Sequence, residues 1–248
     1  MCTIGAVKNS RTGSSIFFKN VDQTFANTYP GAFITDGSKY KFLKISSNAD
    51  PSQTGVLAGV NEAGVVVLGA DGNCMPDYSG GNYGSLNESL VVYEKVLGEC
   101  GDVWQALDVV MKEYQRRRMG GNGDIVMIGD RTNAIALEYS PDRWGVEFMS
   151  DKPYLVRSNF FVLLERLRPA PEECTLHTSS AIRYADALRH LSIKGSQNTL
   201  DDVFKLVKSH YQDKTAMSIC RHGGSGEYFT HASFVVELHE LSVIQISD

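Results

Sequence analysis

The sequence predicts an α+β layered fold, a four-layer αββα sandwich with two antiparallel sheets between helical layers. Strand-like and helix-like patterns arrive in blocks, in the order strands, helices, strands, helices, strands, and do not alternate one by one as in a doubly wound parallel sheet. Neighbouring strand patterns are joined by short polar or Gly-containing turns, the signature of antiparallel hairpins. No Gly-rich phosphate loop contradicts this reading. Across 248 residues no stretch has linker composition, so the chain is expected to form one domain, 1–248.

The first strand is expected over Cys2–Val7, short and partly β-branched, with a polar turn at Asn9–Gly13 and a second extended apolar run at Ser15–Phe18. Further strands are expected at Tyr40–Ile45, Thr54–Val60 and Val65–Gly69, the last two joined by Asn61-Glu62-Ala63-Gly64. Leu86, Leu90, Val91, Val96 and Leu97 recur at helical spacing within Ser85–Leu97, and Val103–Met111 continues the pattern after a Gly-Asp break. Ile125–Ile128 and Ala134–Tyr139 read as a hairpin about the polar turn Asp130–Asn133, and strand character resumes at Val146–Met149 and Tyr154–Val156. Helical patterns at Ser179–Leu191 and Leu200–Ser209 precede two closing strand-like runs, Ala232–Leu238 and Leu241–Ile246.

Composition narrows the function classes. The net charge is −5 with both signs interspersed, and the longest basic run, Arg116-Arg117-Arg118, sits at a helix end where cations suit the dipole, so no nucleic-acid surface is expected. No apolar run is long enough to cross a bilayer, and no membrane partner is expected. The five cysteines (Cys2, Cys74, Cys100, Cys174, Cys220) are odd in number and lack CxxC spacing, which fits a reducing, cytoplasmic setting. The six histidines show no HxxxH or HxH pairing, so no metal site is expected, and no cofactor is implied.

Cys2 is the residue with the most chemistry in it. Removal of Met1, which a small neighbour permits, leaves a thiol and a free α-amine on adjacent carbons. The amine titrates at about 7.7–8.0 and a thiol at about 8.5, so at neutral pH the amine can accept the thiol proton and covalent acyl transfer needs no histidine. Taken alone, a cysteine here is a small apolar residue entering a strand; partner residues further along change that reading.

Those partners are Asn20-Val21-Asp22, Ser158-Asn159 and Ser179-Ser180-Ala181-Ile182-Arg183-Tyr184, followed by Ser218-Ile219-Cys220-Arg221-His222. With Cys2, their order resembles the cysteine-type N-terminal-nucleophile (Ntn) hydrolases, which include choloylglycine hydrolases and penicillin V acylases, and more closely the acyl-CoA:6-aminopenicillanate acyltransferase-like family. The resemblance runs from Cys2 to about Leu238. It implies an Ntn-hydrolase sandwich with Cys2 as nucleophile, Asp22 as the carboxylate that orients and stabilises the α-amine, and Asn159 as an oxyanion donor. It implies that Arg183, at the start of a late helix, lies near the nucleophile, where its charge favours a thiolate.

Two departures stand out. Lys19 occupies the position of an arginine in the choloylglycine branch, keeping the charge but losing the bidentate fork, and with Asn20 it is expected at the substrate. The second oxyanion asparagine of that branch aligns poorly; Asp71 falls at its spacing, and Asn73 is the candidate. The remaining polar signals are weaker: His222 reads as structural, Cys74 and Cys220 as buried small side chains, and Ser79–Gly84 as a loop near a substrate mouth. Aromatics and leucines of 25–29, 75–83 and 160–164 are expected to receive an apolar acyl group or to join the core.

The expected function is cleavage of a linear amide through an acyl-cysteine, with a small-molecule acyl amide or thioester as substrate. The alternatives are transfer of the acyl group to an amine in natural-product biosynthesis, which shares the intermediate, and a non-catalytic ligand-binding member of the fold. A thiol redox sensor lacks a paired resolving cysteine and ranks last. A homo-oligomer is compatible with the resemblance.

Overall fold

The computed structural model describes residues 2–24, 30–46, 55–72, 86–117, 123–164, 175–210, 217–223 and 228–239. Two antiparallel sheets stack face to face. The smaller contains β1 (Cys2–Lys8), β2 (Ser15–Thr24), β10 (Tyr154–Arg157) and β11 (Tyr228–Leu238) in the order β10-β1-β2-β11. The larger runs β3-β4-β5-β6-β7-β8-β9, from β3 (Gly31–Asp36), β4 (Lys41–Ser46), β5 (Ala58–Asn61) and β6 (Val66–Asp71) to β7 (Asp124–Gly129), β8 (Ala134–Ser140) and β9 (Arg143–Phe148). Helices α1 (Leu86–Glu99) and α2 (Val103–Arg117) cover the larger sheet, and α3 (Thr175–Ser192) and α4 (Leu200–Val207) cover the smaller. This is the expected αββα arrangement.

Strand periodicity sorts the side chains among three cores. On β1, Cys2, Ile4 and Ala6 face the larger sheet, where they meet Phe17 of β2, Val66, Leu68 and Ala70 of β6, and Met127 of β7. Val7 points the other way with Ile16 and Phe18 and packs against Ala187, Leu191, Val203 and Leu206 of α3 and α4. On the outer face of the larger sheet, Val65, Val67, Val126, Ile135 and Leu137 take the apolar faces of α1 and α2, including Val96, Leu97, Val103 and Val110. Because β1 lies between β10 and β2, its backbone is paired on both sides and Cys2 is fixed opposite Val21.

The element ends follow local chemistry. Gly64, at φ 91°, closes the β5–β6 turn, and Asn61 Oδ1 accepts from the Val65 N–H at 2.8 Å. The same Asn61 amide donates to the Leu97 and Cys100 carbonyls at 2.8 and 2.9 Å, satisfying acceptors at the end of α1. Asp102 begins α2 by accepting from the Trp104 and Gln105 N–H groups, both at 2.9 Å. Thr199 and Asp202 form a reciprocal capping box at α4.

Several boundaries differ from the sequence expectation. β2 runs on to Thr24, because β11 extends back to Tyr228 and pairs with its polar end. β3 has no counterpart in the sequence reading; its exposed and half-exposed residues form the sheet edge and give no apolar alternation. Helix α3 begins at Thr175, so Arg183 sits in mid-helix and not near its start. The run 241–246 lies outside the described residues. Among the described helices none is long and apolar enough to cross a membrane.

The two sheets approach closely where Phe17 of β2 lies over Gly129 of β7, and a Cβ at 129 would run into the Phe17 ring. Phe17 is fully buried. Gly129→Ala is therefore expected to cost about 1–3 kcal/mol through overpacking, measured by chemical denaturation, with Phe17→Leu in the same chain restoring part of the loss. An unchanged denaturation midpoint in Gly129→Ala would show that the sheets are not in contact there.

Candidate active site

The end of β1 is held by a set of side chains drawn from distant parts of the chain. The Cys2 backbone N–H donates to Asn159 Oδ1 at 2.6 Å, and the Cys2 carbonyl accepts from Arg183 Nη1 at 2.6 Å and Ser158 Oγ at 3.2 Å. Asn159 follows β10, which pairs with β1, so the register Ile4↔Arg157 carries Asn159 to the level of Cys2. Arg183 reaches the same point from α3, where Ser180, Arg183, Ala187 and Leu191 form the buried stripe facing the smaller sheet. Its guanidinium also donates to Thr3 Oγ1 at 3.0 Å, Ser180 Oγ at 3.1 Å and Asn159 Oδ1 at 3.2 Å.

The Asn159 orientation is fixed by its partners. Oδ1 faces two donors, while Nδ2 donates to the Asp71 carbonyl at 3.0 Å; a flipped amide would set donor against donor at one end and acceptor against acceptor at the other. In this arrangement Asn159 anchors the Cys2 nitrogen, and its amide Nδ2 donates to the β6 end.

Asp22 lies at the polar end of β2, on the α3/α4 side of the sheet with Asn20. Thr230 Oγ1 donates to its Oδ1 at 2.7 Å, while Oδ2 is 3.9 Å from both Arg183 Nη1 and Arg221 Nη1. Burial pushes the Asp22 carboxyl up from its ordinary value, against the opposing pull of Arg183, Arg221 and the Thr230 hydroxyl. Burial lowers Arg183 to about 10, with the Asp22 charge working against it, so Arg183 remains a cation near neutral pH. Cys2 itself is 8% exposed.

The other expected site residues are placed differently from one another. Lys19 is on the Cys2 face of β2, opposite Ile4, but it is 1% exposed and its ammonium donates to the Gly69 carbonyl of β6, bridging the sheets. Asn20, expected at the substrate, is corrected by its contacts. Period-two alternation turns it to the helical side, where Nδ2 donates to the Val207 and Ile219 carbonyls at 2.9 and 2.8 Å and Oδ1 accepts from Ser233 Oγ at 2.9 Å. Its role is to tie the end of α4 and the 217–223 segment to β2. Asn73 and the 25–29, 75–83 and Ser79–Gly84 segments lie outside the described residues. Within 160–164, Phe161 and Leu164 are buried in the intersheet core, and the Phe160 ring stands edge-on to Tyr184 with centroids 5.3 Å apart, so these three are core residues and not an open acyl pocket.

Three features went unassigned in the sequence reading. Arg221, in the middle of the late Ser-Ile-Cys-Arg-His motif, supplies the second cation on Asp22; its signal was the motif itself. Glu138 and Arg157 form an ion pair between the sheets, with Nε to Oε1 at 2.6 Å and both side chains essentially fully buried. Glu138 also accepts from the N–H groups of Val162, Leu163 and Leu164 at 3.0, 2.8 and 3.1 Å, so it fixes the chain just after Asn159. Finally, the fold gathers His210, Cys220 and His222, which the sequence leaves unpaired, so that one potential ligand atom from each lies within 4.8 Å of the others. Linear spacing hides this, because His210 follows α4 and the other two come from the next described segment.

By sequence, no protein-family profile and no characterised protein matches the chain. Solved structures do match its fold. The Caenorhabditis elegans N-acylethanolamine-hydrolyzing acid amidase ortholog superposes with a TM-score of 0.53 at 16% identity, covering 84% of this chain and 86% of its own. The C2A variant of conjugated bile acid hydrolase from Clostridium perfringens gives 0.55 at 14% identity, covering 97% and 89%. Penicillin V acylase from Agrobacterium tumefaciens gives 0.54 at 13% identity, covering 98% and 84%. The shared fold is the Ntn-hydrolase αββα sandwich.

Glu138→Gln replaces one acceptor oxygen with an N–H₂ group facing donors and leaves the buried Arg157 with Glu147, 2.7 Å from Nη2, as its carboxylate. It is expected to lower stability by about 1–3 kcal/mol and to accelerate amide exchange at Val162, Leu163 and Leu164, read by hydrogen–deuterium exchange. Unchanged exchange at those amides would remove Glu138 from this positioning role.

Proposed function

We propose that the chain is an N-terminal-cysteine amide hydrolase acting on a linear N-acyl amide. The observation that carries this reading is the grip on Cys2: both its backbone N–H and its carbonyl are held by buried polar side chains, one of them a fully buried arginine. A cysteine that only fills core space has no use for such a cation, whose desolvation costs free energy. The clamp makes sense where the atoms around Cys2 must be held for reaction.

With Met1 removed, the Cys2 nitrogen becomes an α-amine that takes the thiol proton, and the sulfur attacks the substrate carbonyl. The ammonium so formed is favoured by the Asp22 carboxylate, while Arg183 and Arg221 fix that carboxylate in place. Asn159 serves the oxyanion when its Nδ2 exchanges the Asp71 carbonyl for the substrate oxygen. The ammonium then gives its proton to the departing amine as the C–N bond breaks. Water attacks the acyl-cysteine, releases the free acid and restores the thiol. Lys19, one cross-strand pair along from Cys2 on the same face, adds positive potential at the end of the intersheet space.

The names of the fold neighbours, an amidase, a bile acid hydrolase and an acylase, support an amide over other acyl donors. Acyl transfer to an amine uses the same intermediate and differs only in what resolves it. With a short N-acyl amide bearing an apolar acyl chain, equal release of amine and free acid is expected from the Met1-free protein. Cys2→Ala should fall to background, and Asp22→Asn should lose about 10²–10⁴-fold in kcat with the circular dichroism spectrum retained. Hydrolysis by Cys2→Ala at the unsubstituted rate would overturn the proposal, and acylated amine as the main product in the presence of an amine would replace hydrolysis with transfer.

A further inference from the structure

We propose that His210, Cys220 and His222 form a zinc site on the α4 side of the molecule, separate from the acyl-transfer chemistry and not dependent on it. The two Nε2 atoms of His210 and His222 are 2.9 Å apart, and Cys220 Sγ is 3.7 Å from His222 Nε2. Zinc takes imidazole nitrogen at about 2.0–2.1 Å and thiolate sulfur at about 2.3 Å, so a tetrahedral ion sets N···N near about 3.3 Å and N···S near about 3.6 Å. The sulfur is already at that spacing from His222, all three ligand atoms lie within 4.8 Å of one another, and the two rings need to part by a few tenths of an ångström. Without an ion, two imidazole lone pairs cannot face each other, so one ring donates its Nε2–H to the other; with the ion bound, both rings carry their proton on Nδ1 and the Cys220 thiol releases its proton to solvent.

Backbone contacts tie the two ligand-bearing segments together. The Cys220 N–H donates to the Ser209 carbonyl at 3.0 Å, joining the residues next to and at two of the ligands. One step further in, the Asn20 amide bridges the Val207 and Ile219 carbonyls. His222 is paired with Phe229 across an isolated bridge. The imidazoles are exposed and Cys220 is half-buried, so an ion reaches the site from solvent. Two nitrogens and a thiolate form a borderline-soft set that discriminates against magnesium and calcium.

The position gives the site a structural consequence. Arg221 lies between two of the ligands in sequence, and its guanidinium is 3.9 Å from Asp22. An ion held by Cys220 and His222 on one side and His210 on the other fastens the segment that delivers Arg221 to the end of α4.

The test is equilibrium dialysis with Zn²⁺ and optical titration with Co²⁺, whose thiolate charge-transfer band reports a Co–S bond. Expected are one ion per chain in the unsubstituted protein and in Cys2→Ala, loss of the band in Cys220→Ser, and weakening in His210→Ala and His222→Ala beyond the roughly 10–100-fold that losing a supporting partner costs. A zinc-dependent rise in Tm should appear in the unsubstituted protein and vanish in the His210→Ala/His222→Ala variant. His210 and His222 are exposed, so these variants fold even if Cys220→Ser does not. Absence of stoichiometric binding, binding unchanged by the histidine substitutions, or binding lost in Cys2→Ala would each overturn the proposal.

Discussion

The geometry around the first described residue depends on one buried cation. Arg183 has no exposed surface, yet its guanidinium meets the Cys2 carbonyl, Thr3, Ser180 and Asn159 and stands beside Asp22. Its planar fork serves several acceptors at fixed angles, which a lysine ammonium cannot reproduce. Remove that fork and the end of β1 loses the contact that fixes its carbonyl, Asn159 loses one of the two donors that set its amide, and Asp22 keeps only one of its two arginines. The nucleophile, its anchor and its carboxylate are thus coupled through a single side chain.

That coupling explains the unusual density of charge inside the fold. Two arginines and one aspartate lie together beneath α3, and Lys19, Glu138 and Arg157 occupy the intersheet space. Each group carries a desolvation penalty that hydrophobic side chains of similar size would not. The return is positional: Lys19 and the Glu138–Arg157 pair lock one sheet against the other, and Glu138 holds the three N–H groups that follow the Asn159 turn. In a low-dielectric interior such contacts are stiff because breaking one leaves a buried polar group short of a partner.

The legible part of the sequence was the part that short-range pattern controls. β1, the β5–β6 and β7–β8 hairpins, α1, α2 and α4 follow from alternation, turn residues and helical spacing, and the order of the blocks yields the layers. The edge strand β3 lacked a signal because an edge has no fully buried face to pattern. Asn20 was misplaced because its motif neighbour Asp22 sits at the charged cluster while Asn20 itself is absorbed in backbone hydrogen bonds. Asn159 was found by resemblance, but its present partners, the Cys2 N–H and the Asp71 carbonyl, are set by pairing between β1 and β10 that no local pattern encodes. The His210, Cys220 and His222 cluster and the Glu138–Arg157 pair are long-range products of the fold in the same way.

The central claim is that Cys2 is a working nucleophile and not a buried thiol in a catalytic-looking fold. Intact-protein mass spectrometry with peptide mapping, before and after brief exposure to an activated acyl ester, addresses it directly. Cys100 and Cys220 serve as internal comparators, since neither forms a disulfide. The account predicts a chain lacking Met1 that gains a single acyl group, mapped to Cys2. A Met1-free chain that gains no adduct, or gains it at Cys100 or Cys220 with Cys2 untouched, would contradict it.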